Sequence, residues 1–199
     1  MIIIENLGYK NILHNIDLKI PDGVNYIKGS NGSGKSTLLD CICNINREFD
    51  GTIEGNKSIV YLNQHLYFSY RLTSKDFISF VLSLGGIKEY KKFFLYYISQ
   101  YDMVEKFEKI WNKQVGMLSG GERKMLFFTT ISCIEKDWYI FDEPFSGIDE
   151  EGKKYMIKII DKLYKNKKGI IITSHEMEPL EYFSDINLIQ MNKGKVIED

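Results

Sequence analysis

Cysteine is scarce in this sequence of 199 residues, which contains only Cys41, Cys43 and Cys133. A small, odd number of cysteines favours neither a disulfide framework nor a zinc site. Cys41 and Cys43 lie two positions apart on a predicted helix, so their side chains point in different directions. We therefore expect buried free thiols and a reducing compartment, the cytoplasm.

Long apolar runs and an excess of charge are also missing. No stretch approaches the roughly 18–20 apolar residues that span a bilayer, and residues 1–6 lack the basic region of a signal peptide. With 26 basic and 27 acidic residues, the net charge is −1. Because the chain has no overall excess of positive charge, we do not expect nucleic acid as a partner. If the protein works at a membrane, we expect another chain to cross it.

A phosphate-binding pattern, G-x-x-x-x-G-K-[ST], stands out among the features that are present. It occupies nine consecutive residues: Gly29, Ser30, Asn31, Gly32, Ser33, Gly34, Lys35, Ser36 and Thr37. Its glycines let backbone N–H groups approach an anion, and the start of the following helix attracts the same anion. Lys35 is expected to reach the β- and γ-phosphates of a nucleotide, and the Ser36 hydroxyl to ligate Mg²⁺. The alternative is a glycine-rich surface turn.

The flanking segments favour an α/β fold. Strands are predicted over residues 2–5, 16–20, 24–28, 59–62, 138–141 and 170–173, with another from residue 50 and a terminal hairpin of 186–190 and 195–197. Tyr9 is predicted to lie in the loop after the first strand. Helices are predicted over residues 36–45 and 150–164, and from the glycines after Ser119 to Glu135. Buried strands that alternate with helices indicate a mostly parallel sheet with helices on both faces.

Residues 66–117 differ in character from the rest of the chain. A capping-box pattern at residues 73–76 precedes an apolar run, and amphipathic helices are predicted over 88–101 and 103–111. We predict one domain, in which residues 1–65 and 118–199 form the α/β core and residues 66–117 form a helical insertion. The aromatic side chains of the insertion are expected to form its own small core, because the basic stripe of a base-stacking surface is absent. They are Phe93, Phe94, Tyr96, Tyr97, Phe107 and Trp111.

Polar residues follow two of the predicted buried strands. Asp142 and Glu143 come after residues 138–141, and His175 comes after residues 170–173. Ligands of open α/β sheets bind at the carboxyl ends of the strands. Asp142 is therefore expected to hold Mg²⁺, and Glu143 to polarise a water molecule aimed at the γ-phosphate. His175 is expected to contact that phosphate or orient the water, although a histidine at a strand end also has a purely structural alternative.

The segment Leu118-Ser119-Gly120-Gly121-Glu122 resembles LSGGQ, the signature motif of the nucleotide-binding subunits of ATP-binding cassette (ABC) transporters. The resemblance covers essentially all 199 residues, with the family's motifs in their usual order. It implies a P-loop NTPase fold with a RecA-like core, an N-terminal antiparallel β portion and an inserted helical subdomain.

The resemblance also implies roles for further residues in binding ATP and Mg²⁺. Tyr9 matches the aromatic residue that stacks on adenine, and Gln64 matches the glutamine that links Mg²⁺ and water to the membrane-subunit contact. Residues 146–149 match the D-loop, which ends at Asp149. Ser119, Gly120, Gly121 and Glu122 match the signature residues, and His175 matches the switch histidine.

The family's mechanism is a head-to-tail dimer, of like or unlike subunits, around two ATP molecules. Each γ-phosphate is then held by Lys35 of one subunit and by Ser119 and Gly121 of the other, with Glu143 as the catalytic base. We expect a peripheral protein on the cytoplasmic face of the membrane. It would drive a separate integral membrane subunit, and we expect that transporter to be an exporter. The alternative is a soluble ABC ATPase of an assembly or repair complex.

Three positions depart from the family pattern. Glu122 replaces the usual glutamine, Met125 stands where arginine is usual, and Thr130 stands where a second arginine is common. These changes make the signature helix less basic than the family pattern. Because none of them removes a reacting group, an active ATPase is still expected, rather than an inactive partner in a heterodimer.

Overall fold

The structure is a computed structural model that describes residues 1–64, 66–174 and 182–197. It divides into two compact units. The first comprises Met1–Gln64, Lys136–Pro144 and Ile160–Asp199, and the second His65–Glu135 and Phe145–Ile159, each as far as the chain is described. Among the described helices, none is both long enough and apolar enough to cross a membrane.

A six-stranded sheet forms the centre of the first unit. Its strands are β3 (Gly23–Lys28), β5 (Ile59–Leu62), β6 (Trp138–Asp142), β7 (Gly169–Thr173), β8 (Ile186–Asn192) and β9 (Lys195–Ile197). Their order is β5-β6-β7-β3-β8-β9, and every pair is parallel except the final hairpin. All residues of β6 and β7 are buried, as expected for strands covered on both faces. The predicted mostly parallel α/β sheet is confirmed.

A three-stranded antiparallel sheet completes the first unit's strands. It is formed by β1 (Ile2–Tyr9), β2 (Leu13–Ile20) and β4 (Asp50–Glu54), in the order β2-β1-β4. The prediction that Tyr9 lies in a loop was wrong, because Tyr9 is the last residue of β1 and pairs with Leu13. Irregular register after Ile4 lets β1 continue through Leu7 to Tyr9 with both side chains facing inward.

Helix α1 (Lys35–Ile42) follows β3 and packs its apolar side chains into the first unit's core. Leu38, Leu39, Cys41 and Ile42 are fully buried there, beside strand residues such as Ile27 and Ile140. The helix ends three residues before its predicted limit, near Asn44, whose φ of 57° is left-handed. Helix α6 (Glu150–Lys165) precedes β7.

The second unit is mainly helical. Its elements include α2 (Ser74–Leu84), α3 (Tyr90–Ser99), α4 (Val104–Ile110), a 3₁₀ turn (Val115–Met117) and α5 (Gly120–Ser132). The predicted capping box of α2 is confirmed, with reciprocal bonds between Thr73 and Asp76. Phe94 and Phe107 are buried with their rings 5.3 Å apart, which confirms an internal aromatic core. Tyr96 lies outside that core, because 69% of it is exposed.

Candidate functional site

The phosphate loop connects β3 to α1 by a tight turn. The Ser33 amide donates to the Ser30 carbonyl at 3.1 Å, and the Leu38 amide donates to the Gly34 carbonyl at 2.9 Å as the helix begins. Gly29 has no room for a side chain, since a Cβ atom there would lie 2.4 Å from Ser33 Oγ and 2.5 Å from the Met191 carbonyl oxygen. The loop therefore needs glycine at position 29 for close backbone packing.

Lys35 is held against this loop and is only 8% exposed. Its ammonium donates to the carbonyl of Gly29 at 2.8 Å and to that of Ser30 at 3.3 Å. Both acceptors are neutral, so a phosphate oxygen would form a stronger, charge-assisted bond with the same ammonium. The lysine is thus already positioned over the loop that would hold the anion.

A second contact braces the loop from the terminal hairpin. The Gly194 amide donates to the Ser33 carbonyl at 2.9 Å, and the Gly194 carbonyl accepts from the His14 amide at 2.9 Å. Gly194 has a φ of 75°, and a Cβ atom there would lie 1.9 Å from the Ile12 carbonyl oxygen. One glycine in the β8–β9 turn therefore links β2 to the phosphate loop.

Asp142 and Glu143 are fixed at the end of β6 by one residue of the neighbouring strand. The Thr173 hydroxyl donates to Asp142 Oδ1, and the Glu143 amide donates to the Thr173 carbonyl at 3.1 Å and to its hydroxyl oxygen at 3.0 Å. Glu143 has a φ of 54°, a left-handed conformation that costs a non-glycine residue about 1–2 kcal/mol. The bonds to Thr173 hold the backbone in that conformation, which turns the chain sharply after Asp142.

The donor set suits a hard divalent cation. Asp142 is 2% exposed, and within the described part of the chain its Oδ2 atom has no hydrogen-bond partner. A buried carboxylate oxygen without a donor is costly unless a cation or a water molecule satisfies it. The exposed Ser36 and Gln64 add a hydroxyl and an amide oxygen at the same cleft, and Mg²⁺ prefers such oxygen ligands.

These groups meet in one cleft of about 550 Å³. Its described lining residues come from the phosphate loop, the ends of β5 and β6 and the β1–β2 turn: Ile12, Asn31, Gly32, Ser33, Gly34, Lys35, Ser36, Thr37, Gln64, Asp142 and Glu143. The structure therefore brings together most of the residues predicted for phosphate and metal. Gly29 and Ser30 line a neighbouring cleft of about 510 Å³.

Tyr9 and His175 are among the predicted residues that the structure does not place at this cleft. Tyr9 is not among its lining residues, and its side chain is largely buried. His175 lies outside the described residues. Ser174 precedes it, and the Ser174 carbonyl accepts from the Tyr26 hydroxyl at 2.6 Å. Burial, with the nearby Glu143 carboxylate as a smaller cause, raises the pKa of Tyr26 and keeps that hydroxyl protonated as a donor.

The segment LSGGE starts helix α5 in the second unit. Ser119 is its N-cap, and the Ser119 hydroxyl oxygen accepts from the Glu122 amide at 3.1 Å. Glu122 Oε2 in turn accepts from the Ser119 amide at 2.8 Å, which completes a capping box. Ser119 and Gly120 are both exposed, so the positive end of this helix faces outward.

The start of α5 contacts the loop before α6 within the same unit. The Lys124 ammonium donates to the Ser146 carbonyl at 2.8 Å, and a Cβ atom at Gly121 would lie 3.2 Å from the Gly147 carbonyl oxygen. Asp149 Oδ1 accepts from the Gly152 amide at 2.7 Å and so caps the first turn of α6. The sequence patterns gave no sign of the link between Lys124 and Ser146.

Comparison with known proteins places these motifs in a family. A family model described as "ABC transporter" matches residues 13–146, which is well over half of the chain. The chain belongs to the ABC transporter family. Membership makes it the ATP-binding subunit of an ABC transporter and an ATP-hydrolysing enzyme, as the resemblance predicted.

Several relatives of this ABC subunit are similar over nearly all of its length. An uncharacterised ABC transporter ATP-binding protein of Methanocaldococcus jannaschii is 32% identical over 98% of this chain and 75% of its own. The glutamine transport ATP-binding protein GlnQ of Escherichia coli is 27% identical over 98% and 87%. A dimeric bacterial ABC transporter cassette of known structure superposes with a TM-score of 0.83 at 21% identity, over 100% of this chain and 97% of that one.

The structure gives each departure from the ABC pattern a local role. Glu122 caps its own helix through Ser119, as a glutamine at that position also could. Met125 is 6% exposed, and its methyl group lies 3.8 Å from where a Cβ atom of Gly152 would stand. Thr130 is fully buried, and its hydroxyl donates to the Leu126 carbonyl one turn earlier at 2.7 Å. Both missing arginines are thus replaced by side chains that suit a buried helix face.

Proposed function

We propose that this ABC ATPase powers a membrane transporter by binding two Mg²⁺-ATP molecules between two nucleotide-binding subunits and releasing the dimer on hydrolysis. The observation that carries the proposal is the cleft in which Lys35, Gln64, Asp142 and Glu143 converge beside the phosphate loop. A nucleotide triphosphate needs these groups together: a cation, backbone N–H donors, metal ligands and a base.

The residues divide these tasks by their chemistry. The loop amides from Gly29 to Thr37 cradle the phosphates, and Lys35 exchanges its two carbonyl partners for phosphate oxygens. Ser36, Asp142 and Gln64 would hold Mg²⁺, which neutralises charge on the triphosphate when bound. The Glu143 backbone is fixed by Thr173 and the residue lines the cleft, where its carboxylate would accept a proton from an attacking water molecule. His175 is assigned to the γ-phosphate or that water by resemblance.

The signature segment is the part of the chain that favours a dimer. Ser119, Gly120 and Gly121 present an exposed helix N-terminus, and the Ser119 hydroxyl hydrogen remains able to donate because its oxygen acts as the acceptor in the capping box. An anion-binding helix end of this kind complements the phosphates held by another subunit. Glu122 and Asp149 flank this surface. Dimeric cassettes among the structural neighbours support the same arrangement.

The partner in this proposal is an integral membrane subunit on a separate chain, with this subunit on the cytoplasmic face of the membrane. In this proposal residues 66–117 act as the helical subdomain that receives the motion, beside a core of residues 1–65 and 118–199, although the second compact unit extends beyond this insertion to Glu135 and includes Phe145–Ile159. We propose export as the direction of transport, as expected from the family resemblance described above. Because some relatives are named for glutamine transport and for petrobactin import, a transport assay must decide the direction.

Glu143→Gln tests the nucleotide mechanism directly. This variant should bind ATP, hydrolyse it at least about a hundredfold more slowly and run as a dimer only with ATP in size-exclusion chromatography with light scattering. The matched control is Glu143→Gln combined with Gly120→Phe. A Cβ atom at Gly120 would meet no atom within 4 Å in the single chain, and the residue is exposed, so the control should fold and bind ATP but remain monomeric. Normal turnover in Glu143→Gln would remove Glu143 from the base role.

The membrane partner is tested by purifying the tagged chain from detergent-solubilised membranes. A co-purifying protein with several spanning helices supports the transporter proposal. Recovery of soluble partners alone would contradict it and favour a soluble ABC ATPase.

A further inference from the structure

The capping box at the start of α5 brings a carboxylate next to the exposed signature residues. Glu122 Oε2 accepts a hydrogen bond from the Ser119 amide at 2.8 Å, and the Glu122 amide donates to the Ser119 hydroxyl oxygen at 3.1 Å. Ser119 and Gly120 are exposed, and Glu122 is half-buried. The carboxylate of Glu122 is therefore held at the surface that the signature segment presents.

The charge of this carboxylate is not neutralised by an ion pair within the part of the chain that the structure describes. The basic residues that follow it in sequence are engaged elsewhere. The Arg123 guanidinium lies 5.2 Å from the centre of the Tyr70 ring, and the Lys124 ammonium donates to the Ser146 carbonyl at 2.8 Å. The start of α5 therefore carries a negative charge beside its signature residues.

Met125 removes the position from which the helix itself could supply a cation. Residues three apart on a helix are neighbours on one face, so position 125 lies beside Glu122. The side chain there is an apolar methionine that is 6% exposed. Compared with the family pattern of glutamine at 122 and arginine at 125, each of the two departures makes the start of α5 more negative by one charge.

We propose that Glu122 opposes ATP-driven dimerisation, because its carboxylate lies beside the donors that the signature segment offers to the γ-phosphate of the other subunit's ATP. This inference rests on the proposed function, in which Ser119 and Gly121 hold that phosphate. An anion bound to the Ser119 hydroxyl would lie roughly 5–7 Å from the carboxylate, since the same residue's amide holds Glu122. The two negative groups repel each other, so the dimer separates more readily.

Coulomb repulsion gives the size of the expected effect. At roughly 6 Å, and after allowance for screening by solvent and salt, two like charges weaken binding about three- to tenfold. In a dimer of like subunits this contact occurs twice. We therefore expect Glu122 to weaken the dimer about 10- to 100-fold relative to glutamine, which can close the same capping box without the charge.

Analytical ultracentrifugation of the full chain in the Glu143→Gln background, with Mg²⁺ and ATP, measures the dimer dissociation constant. Glu122→Gln should lower this constant about 10- to 100-fold. Glu122→Asp should change it less than about threefold, because aspartate keeps the charge and closes the same kind of box in α2, where Asp76 bonds to Thr73. Glu105→Gln should also change it less than about threefold, because it removes an exposed charge on α4, away from the signature segment.

The ATP affinity of the monomer shows where the effect arises. With Gly120→Phe added to keep the chain monomeric, Glu122→Gln should change ATP affinity less than about twofold in isothermal titration, because the phosphate loop holds ATP within one chain. A change as large as that of the dimer would mean that Glu122 acts on the nucleotide of its own chain, and it would overturn the inference.

The dimer measurements have equally distinct contrary outcomes. If Glu122→Gln leaves the dimer dissociation constant unchanged or raises it, Glu122 does not oppose dimerisation. If the glutamine and aspartate variants tighten the dimer equally, the charge is not the cause, and the inference is again overturned. If neither Glu143→Gln nor its combination with Glu122→Gln forms a dimer with ATP, the dimer of the proposed function itself fails, and this inference fails with it.

Discussion

Replacing Thr173 with valine tests how the chain holds its two carboxylates in place. The threonine is fully buried on β7, and its hydroxyl donates to Asp142 Oδ1 while accepting from the Glu143 amide. Valine has nearly the same shape and an equally high preference for strands, so the change replaces the hydroxyl with a methyl group and alters little else.

The expected loss of stability follows from these two bonds. A hydrogen bond to a charged group contributes about 1.5–3 kcal/mol, and its loss would leave a second Asp142 oxygen buried without a donor. The Glu143 amide keeps its hydrogen bond of 3.1 Å to the Thr173 carbonyl, so the loss of its bond to the hydroxyl contributes less to the destabilisation. We expect Thr173→Val to reduce the free energy of unfolding by about 2–3 kcal/mol. We also expect it to reduce ATP turnover at least about tenfold, because Glu143 is less firmly held.

Urea unfolding followed by tryptophan fluorescence measures this loss of stability. The Trp111→Phe background leaves Trp138, the first residue of β6, as the only tryptophan, so the signal reports on the strand that carries Asp142. Thr173→Ser is the control, since it keeps the hydroxyl and loses only a methyl group, worth about 1 kcal/mol. The serine variant should retain near-normal turnover. A valine variant as stable as the wild type, or serine and valine variants with equal turnover, would refute the argument that this hydroxyl positions Asp142 and Glu143.

Three further predictions follow from contacts described above. Lys35→Ala should lower ATP affinity at least about a hundredfold in a nucleotide-binding assay, because it removes the cation over the loop, and retained affinity would contradict the phosphate-loop assignment. Lys124→Met should speed amide exchange of residues 146–149 about fivefold, since it removes a bond worth about 1 kcal/mol to the Ser146 carbonyl, and unchanged exchange would show that the link is unimportant. Burial, with a smaller contribution from Asp40, raises the pKa of Cys41 to about 11 and that of Cys43 to about 12. Fewer than about one in a hundred of these thiols should then be ionised at pH 8, so both the buried Cys41 and the half-buried Cys43 should resist a disulfide reagent until the chain unfolds, and rapid labelling of the native protein would contradict this prediction.

Local patterns predicted the parts of the site that depend on local backbone geometry. The phosphate loop, the capping box of α2 and the strand before Asp142 each result from a few adjacent residues, so their sequence determines their conformation. Parallel strands in turn bring their carboxyl ends to one edge, which is why Asp142 was expected near Lys35, whereas Gln64 was expected there from the family resemblance. The structure places these residues around one cleft.

The features that sequence patterns missed depend on register or on distant contacts. Tyr9 was expected in a loop because it lies between the strands predicted over residues 2–5 and 16–20, but irregular pairing with β2 extends β1 to Tyr9. Ile12 carries no chemical signal, and it lines the cleft because a three-residue turn places it there. The contact between Lys124 and Ser146 joins residues 22 positions apart in the chain, so no short pattern could reveal it.

The bond from the Gly194 amide to the Ser33 carbonyl has a consequence for how the protein is synthesised. A ribosome makes the phosphate loop early, but the turn that braces it emerges only after almost all of the other described residues. A nascent chain therefore carries the nucleotide motif long before it has the support that fixes the motif's shape.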